Sequence, residues 1–338
     1  MLDNETILVT GGAGFIGSAF IRFLLGRKNF AGKIINLDAL TYAGNLKNIP
    51  VNLQGNSKYH FVRGNINDSA LLEDLWKKYS FTTIVHFAAE SHVDRSIVTP
   101  NTCVDTNIFG TISLLEFTRA HPSIRMHHIS TDEVFGPRES MCDIHAPYNP
   151  SSPYAASKAS ADHFVFSYSK TYDIQVTLSY SSNNFGPYQY PEKFIPVIIR
   201  SLIEKKPIPI YGQGNQIRDW IYVDDHVTAL WNFLQRPLNS RKVAFTGENQ
   251  WNNFELVKKI IRIYSLLTDS MESHYTGLIE FIPDRPGHDY CYSLQRTEGT
   301  VDWNSKESFS KDLEYTIAWY IQNRDWLYTA EDRVAYVT

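Results

Sequence analysis

Thr6-Ile7-Leu8-Val9-Thr10-Gly11-Gly12-Ala13-Gly14-Phe15-Ile16-Gly17 is a short apolar run that breaks at once into a glycine-rich turn. A helical pattern follows over residues 18–25. An uninterrupted apolar run of this length reads as a strand buried on both faces. Strand, glycine turn and helix in that order form the context in which such glycines mean dinucleotide binding. Small residues let the backbone approach a pyrophosphate, and a helix N-terminus offers N–H groups with a partial positive charge. A second strand is expected over 33–37, with Asp38 at its end. A carboxylate there can accept hydrogen bonds from an adenosine ribose and would repel a 2′-phosphate, which favours NAD over NADP.

Residues 59–64, 83–88, 126–130 and 176–181 read as further strands separated by helix-length segments. That alternation predicts an α/β fold with a doubly wound parallel sheet of Rossmann type. Ligands then lie beyond the carboxyl ends of the strands, where Ala88-Ala89-Glu90-Ser91-His92 and Ser130-Thr131-Asp132-Glu133 fall. After Ser182 the alternation stops, and amphipathic helices are expected over 253–265 and 310–323 within a smaller C-terminal α/β substrate domain. The expected division is 1–181 for the dinucleotide-binding domain, with 218–247 returning to it. Residues 182–217 and 248–328 make up the substrate domain, and 329–338 form a poorly ordered tail.

The chemistry concentrates in Ser130-Thr131-Asp132-Glu133-Val134-Phe135-Gly136 and Tyr154-Ala155-Ala156-Ser157-Lys158. Tyr154 and Lys158, four apart on a helix, share a face, so the ammonium is expected to sit near the phenol and lower its pKa. A phenolate base can then take a proton from a sugar hydroxyl. Asp132 and Glu133 add a second acid/base pair that simple oxidation does not need, and the set suggests redox chemistry coupled to loss of water. Arg218 and Arg285 sit in polar clusters and are candidates for clamping a diphosphate, although each alone also suits a structural ion pair.

The chain has 338 residues, 43% hydrophobic and 20% charged, with a net charge of −4, enough to bury a large core and without a basic field for nucleic acid. Cys103, Cys142 and Cys291 lack metal-ligand spacing, and no His cluster does better, so reduced cytoplasmic thiols and no metal are expected. Met1-Leu2-Asp3-Asn4-Glu5 has no basic n-region, so no signal peptide is expected. The most apolar stretch, 194–203, is cut by Arg200 and is too short to span a membrane.

The chain resembles the extended short-chain dehydrogenase/reductases and, within them, the nucleotide-sugar 4,6-dehydratases. The resemblance is carried by TGGAGFIGS (10–18), DALTYAGN (38–45), HFAAESHVDRS (86–96), STDEVFG (130–136), SPYAASKASADH (152–163), SNNFGPYQYPEKFIP (182–196), YGQGNQIRDWIYVDDH (211–226) and DRPGHD (284–289). It implies conversion of dTDP-glucose to dTDP-4-keto-6-deoxyglucose, a hydro-lyase reaction in deoxysugar biosynthesis. Catalytic roles fall on Thr131, Asp132, Glu133, Tyr154 and Lys158. Cofactor contacts fall on Gly11, Gly14, Phe15, Ile16, Gly17, Asp38, Leu40, Thr41, Asn65, Ile66, Phe87, Ala88, Ala89, Ser91, Thr106, Tyr154, Lys158 and Asn184, with NAD as cofactor. Substrate contacts fall on Ser91, Thr131, Asn183, Lys193, Phe194, Pro209, Tyr211, Arg218, Asn253, Arg285 and His288.

The resemblance also implies a homodimer built from the Tyr154 helix and the one near 107–120. The first of these carries Ala155, Ala159, Phe164, Phe166 and Tyr168, more apolar surface than one core face needs. Asn65, Tyr180 and Phe135 depart from the usual Asp, Arg and Tyr, and the segment between Asn107 and Asp132 is shorter than in many bacterial members. UDP-glucose or UDP-N-acetylglucosamine as substrate, a 4-epimerase or decarboxylase, and a non-catalytic nucleotide sensor remain alternatives. The Asp132-Glu133 pair speaks against the epimerase and decarboxylase, and the intact catalytic set against the sensor.

Overall fold

A computed structural model describes residues 2–138, 140–236, 241–297 and 309–329. Residues 330–338 of the predicted tail lie outside them. Strands β1 (Thr6–Thr10), β2 (Lys33–Asp38), β3 (Tyr59–Arg63), β4 (Thr83–His86), β5 (Arg125–Ile129) and β6 (Val176–Ser181) fall where the apolar runs put them. All pair in parallel; Thr10 of β1 lies opposite Leu37 of β2 and His86 of β4. Beyond β7 (Asn183–Phe185), β8 (Ile208–Tyr211) and β9 (Ile217–Tyr222), strand β10 (Lys242–Phe245) returns to pair in parallel with β6. The order in the seven-stranded sheet is β10-β6-β5-β4-β1-β2-β3. The order in which strands are added reverses between β1 and β4, and that switch point leaves a crevice at the carboxyl ends of both strands.

Both faces of this sheet are covered, which is why its strands carry no polar alternation. The Phe15–Gly26 and Val223–Leu234 helices cover one face, burying Phe20, Ile21, Leu24, Leu230 and Trp231 against Ile7, Val9 and Val85. The Ser69–Tyr79, Gly110–Ala120 and Pro153–Tyr172 helices cover the other, burying Leu72, Leu75, Leu114, Leu115 and Val165 against Leu8, Ile84 and Leu178. A third cluster forms the smaller lobe. There the Phe194–Glu204, Asn253–Leu267 and Phe309–Gln322 helices pack around β8 and β9. In this lobe β9 pairs in parallel with β7 and antiparallel with β11 (Gln250–Asn252), while β8 pairs with β12 (Ile279–Ile282). The end of β9 runs directly into the Val223–Leu234 helix on the large sheet, so the lobes are joined by continuous secondary structure.

The long Pro153–Tyr172 helix starts where local chemistry dictates. Ser152 accepts a hydrogen bond from the Ala155 N–H at 3.1 Å, and Pro153 occupies the first helical position, where its missing N–H costs nothing. Asp173 ends it in a left-handed conformation. The first helix begins at Phe15 rather than Ser18, with Gly14 as its cap residue. No helix among the described residues is long and apolar enough to cross a membrane.

Candidate active site

The crevice at the switch point is lined at one end by Gly11, Gly14, Phe15, Ile16, Gly17, Asp38, Thr41, Asn65 and Ile66. Its middle is lined by Phe87, Ala88, Ala89, Ser91 and Thr106, and its head by Thr131, Asp132, Glu133, Tyr154, Lys158, Asn183, Asn184 and Lys193. Of the residues expected to meet the cofactor, only Leu40 does not line it. Leu40 has φ of 54° and spends its N–H on the Asp38 carboxylate at 2.8 Å, which closes a tight turn beside the crevice.

Two features shape the crevice for a dinucleotide. Gly11 takes a positive φ of 70°, and a Cβ there would come within 2.5 Å of the Ala88 backbone nitrogen. The first helix has no side-chain cap, so its leading N–H groups are open at the crevice where Gly14, Phe15 and Ile16 line it. Asp38 accepts N–H bonds from Ala13 (2.9 Å) and Leu40, one on each oxygen, and each oxygen keeps a lone pair for a ribose hydroxyl. These residues fit a dinucleotide.

At the head, Thr131 starts a 3-10 turn over Asp132–Phe135, and its hydroxyl accepts the Glu133 N–H at 3.3 Å. Gly136 ends that turn with φ of 70°; a Cβ there would overlap the Asn149 carbonyl oxygen at 1.9 Å. Asp132 is 4% exposed, and its proton affinity is pushed up to about 8, first by burial and then by the charge of Glu133. Burial therefore outweighs the charge of the neighbouring carboxylate. Glu133 is shifted up by burial as well, but Arg218, Arg285 and Lys193 pull it back. Asp132 Oδ2 and Glu133 Oε2 are buried and have no hydrogen-bond partner. Unpaired carboxylate oxygens are costly in a protein interior and mark a position where a ligand supplies the partner.

The Tyr154–Lys158 pairing differs from the expectation. The Lys158 ammonium donates to the Ile129 carbonyl at 2.7 Å and lies 3.2 Å from His128 Nε2, so it is held against β5. Helical spacing puts both residues on one face, but the long lysine side chain runs to the nearest carbonyl on the strand. The Tyr154 phenol is shifted well upward by burial and by Glu133, with a hydrogen bond from Thr131 opposing. The Lys158 ammonium is itself drawn down to about 8 by burial, with Asp162 opposing. In the protein without ligands the phenol is therefore held protonated.

The remaining candidates divide. Lys193 donates to the Ser91 carbonyl at 2.6 Å, linking the lobes across the crevice. Phe194, Pro209, Tyr211, Arg218, Asn253, Arg285 and His288 do not line it. Arg285 pairs with Asp94 at 2.9 Å; Tyr211 donates to the same carboxylate at 3.2 Å and meets the His288 ring at 5.8 Å. The Arg218 guanidinium donates to the carbonyls of Ile217, Asp289 and Tyr290, which fixes it as a buried cation beside Glu133. Phe194 stacks on Trp220 with centroids 6.2 Å apart, Pro209 is exposed on β8, and the Asn253 N–H bonds the Gln216 carbonyl. The Asn184 amide is engaged by Ser181, Ser182 and His226.

Glu90, Gln189, Tyr190 and Glu192 also line the crevice and were not singled out in the sequence. Glu90 lies inside the stretch after β4 that the topology rule had already marked. Asn107, on a π-helical turn over Val104–Phe109, clamps the Glu90 backbone from both sides (2.9 and 3.0 Å) and donates to Ser157. Such turns cluster at functional sites, but no short sequence motif announces one.

A family model described as GDP-mannose 4,6 dehydratase matches residues 8–316. A probable dTDP-glucose 4,6-dehydratase of Sinorhizobium fredii is 41% identical, the match covering 97% of this chain and 96% of that protein. The crystal structure of dTDP-glucose 4,6-dehydratase from Bacillus anthracis in complex with NAD superposes with a TM-score of 0.85 at 38% identity, covering 96% of this chain and 99% of that one. DesIV of Streptomyces venezuelae, a dTDP-glucose 4,6-dehydratase with NAD and TYD bound, gives 0.87 at 37%, with the same coverage. A match that runs from β1 into the Phe309–Gln322 helix takes in the glycine turn, the Thr131–Glu133 turn and the Tyr154 helix together, and this chain belongs to the GDP-mannose 4,6 dehydratase family.

Proposed function

We infer that this chain is an NAD-dependent dTDP-glucose 4,6-dehydratase. The observation that carries the reading is the head of the crevice. Two adjacent buried carboxyl groups, one held as an acid to about pH 8, lie with Tyr154 in the cavity that begins at the glycine turn. The dTDP-glucose enzymes that match over nearly the whole chain support the choice of sugar nucleotide.

NAD, when bound, supplies a hydride acceptor that takes hydride from C4 of the sugar and returns it at C6. Tyr154, once it has given up the proton it holds in the ligand-free protein, takes the C4 hydroxyl proton, and Thr131 hydrogen-bonds the C4 oxygen. The ketone acidifies the C5 proton, which Glu133 removes. Asp132 gives its proton to the C6 hydroxyl, which leaves as water, and Glu133 returns a proton to C5. Burial raises both carboxyl groups, but Arg218, Arg285 and Lys193 oppose it at Glu133 while Asp132 is carried up to about 8, so the environments of two neighbouring carboxyl groups separate their roles.

A homodimer is part of this reading. Ala155 and Ala159 are covered by the chain itself, Phe166 packs on the core, and Tyr168 donates to Glu116. Only Phe164 of the five side chains expected to face a partner is exposed. Tyr172 (45%) and Phe109 (55%), near the same two helices, supply the apolar surface that a second copy would cover.

Incubating purified protein with dTDP-glucose, UDP-glucose and UDP-N-acetylglucosamine tests the function. A 4-keto-6-deoxy product from dTDP-glucose is expected; a C4 epimer, or turnover of only the UDP sugars, refutes the reading.

A further inference from the structure

Asp162 follows Lys158 by one turn of the Pro153–Tyr172 helix and is 0% exposed. Its Oδ2 accepts the Ser130 hydroxyl at 2.7 Å and the Tyr148 hydroxyl at 3.0 Å, and the Tyr148 hydroxyl is hydrogen-bonded to that of Tyr180. Its Oδ1 has no hydrogen-bond partner and lies 3.4 Å from His128 Nε2. The Lys158 ammonium lies 3.2 Å from that same nitrogen. Carboxylate and ammonium therefore flank one imidazole nitrogen, and their separation cannot exceed those two distances together. Lys158 is 3% exposed, and its hydrogen bonds go to the Ile129 carbonyl and to an imidazole that burial keeps neutral. A buried ammonium with neutral partners needs an opposite charge close by, and Asp162 is placed to supply it.

The other titratable groups around the pair leave this balance to the two of them. His86, with its ring 5.1 Å from that of His128, is also kept neutral by burial, and the phenols of Tyr148 and Tyr180 are pushed up by it. His163 on the same helix and Lys242 of β10 face Asp162 too, but the first is exposed and the second half-buried over the Phe166 ring, so water screens both. We propose that Asp162 is a positioning residue: its buried carboxylate is the counter-charge that keeps a proton on Lys158 and off Tyr154, so that the phenolate is available to the C4 hydroxyl of the sugar. Burial lifts Asp162 to about 6, which leaves it ionised at neutral pH, and it opposes the fall of Lys158 to about 8. Once the Tyr154–Lys158 pair has lost one proton, the proton left behind sits either on the amine or on the phenol. Tyr154 leaves the helix two turns before Asp162, about 12 Å along the axis, so the carboxylate acts more strongly on Lys158 and favours the first arrangement.

This role rests on the dehydratase reading, and two measurements on the NAD-loaded protein separate the two. The first needs no substrate. Lysine carrying ¹³C at Cε is followed by NMR against pH, with Lys158 identified as the resonance that Lys158→Arg removes. Its midpoint should lie near 8 in wild type and about one unit or more lower in Asp162→Asn and Asp162→Ser, the scale of a lost opposite charge. Asp162→Glu keeps the charge and should keep the wild-type midpoint. Two neutral replacements are used so that a folding defect in one leaves the other to decide. The second measurement mixes the proteins at pH 9 with dTDP-6-deoxyglucose, which can be oxidised at C4 but has no C6 hydroxyl to expel. NADH formation should be about tenfold slower in the neutral variants, one pKa unit being tenfold in the proton's distribution, and nearer wild type in Asp162→Glu. KM should not change, because Asp162 does not line the crevice. A merely structural defect would slow NADH formation and leave the Lys158 midpoint where it was. If Lys158 titrates alike with and without the carboxylate, or if it moves and NADH formation at pH 9 does not slow, the role is wrong. If wild type reduces its NAD with neither the analogue nor dTDP-glucose, the reaction reading itself fails and takes the role with it, whatever Lys158 does.

Discussion

Asp132 and Glu133 are neighbours in the chain and differ in what surrounds them. Burial raises both, but Glu133 is pulled back by Arg218, Arg285 and Lys193, whereas Asp132 is pulled back by Arg218 and Thr131 and pushed further up by the charges of Glu133 and Asp219. Asp132→Asn with Glu133→Gln should leave Tyr154, Lys158 and the dinucleotide end of the crevice intact. On mixing with dTDP-glucose the double variant should accumulate NADH absorbance and release no 4-keto-6-deoxy product. Near wild-type dehydration by it would remove both carboxyl groups from the chemistry. The pH dependence has a definite sign. Asp132 acts as the acid, and its proton is lost as pH rises through about 8, so kcat/KM should fall above that value. A pH–rate profile that is still rising at pH 9 would contradict the assignment.

At the scale of elements, the Val223–Leu234 helix holds the lobes in register. It follows β9 of the small lobe and buries Trp231 on the large sheet, 6.2 Å from both Phe20 and Phe30. Trp231 is 1% exposed, so Trp231→Ala leaves a cavity and should cost about 3–5 kcal/mol, read as a lower denaturant midpoint with an unchanged slope. A loss below about 1 kcal/mol would mean that the helix can collapse into the gap. A polar thread ties the smaller lobe to the cofactor end. Trp326 Nε1 donates to Asn48 at 3.0 Å, and Asn48 donates to the Ala13 carbonyl in the glycine turn at 2.9 Å.

For the whole molecule, the surface around Phe109, Phe164 and Tyr172 predicts association. Light scattering at micromolar concentration should give the mass of a dimer, and Phe109→Arg with Phe164→Glu should shift it toward a monomer. A wild-type monomer would remove the claim.

The strands of the large sheet were legible in the sequence because parallel strands buried on both faces are apolar throughout, and Val176–Ser181 agrees with its predicted bounds to the residue. The glycine turn was legible because only residues without bulk fit where Gly11 meets Ala88. The reactive groups were legible as residue types at fixed spacing: Thr131-Asp132-Glu133 on one turn, Tyr154 and Lys158 on one helix face. Tertiary structure decided which partner each group takes. Lys158 turned to the Ile129 carbonyl, because a buried ammonium bonds the acceptor that packing brings nearest, and helical spacing does not specify that acceptor. The same holds for Asp132, whose acidity is set by enclosure, and for the clamp of Asn107 on Glu90, whose partners are 17 residues apart. Burial and long-range contacts are properties of the folded chain, and periodicity reports only which face of an element is covered.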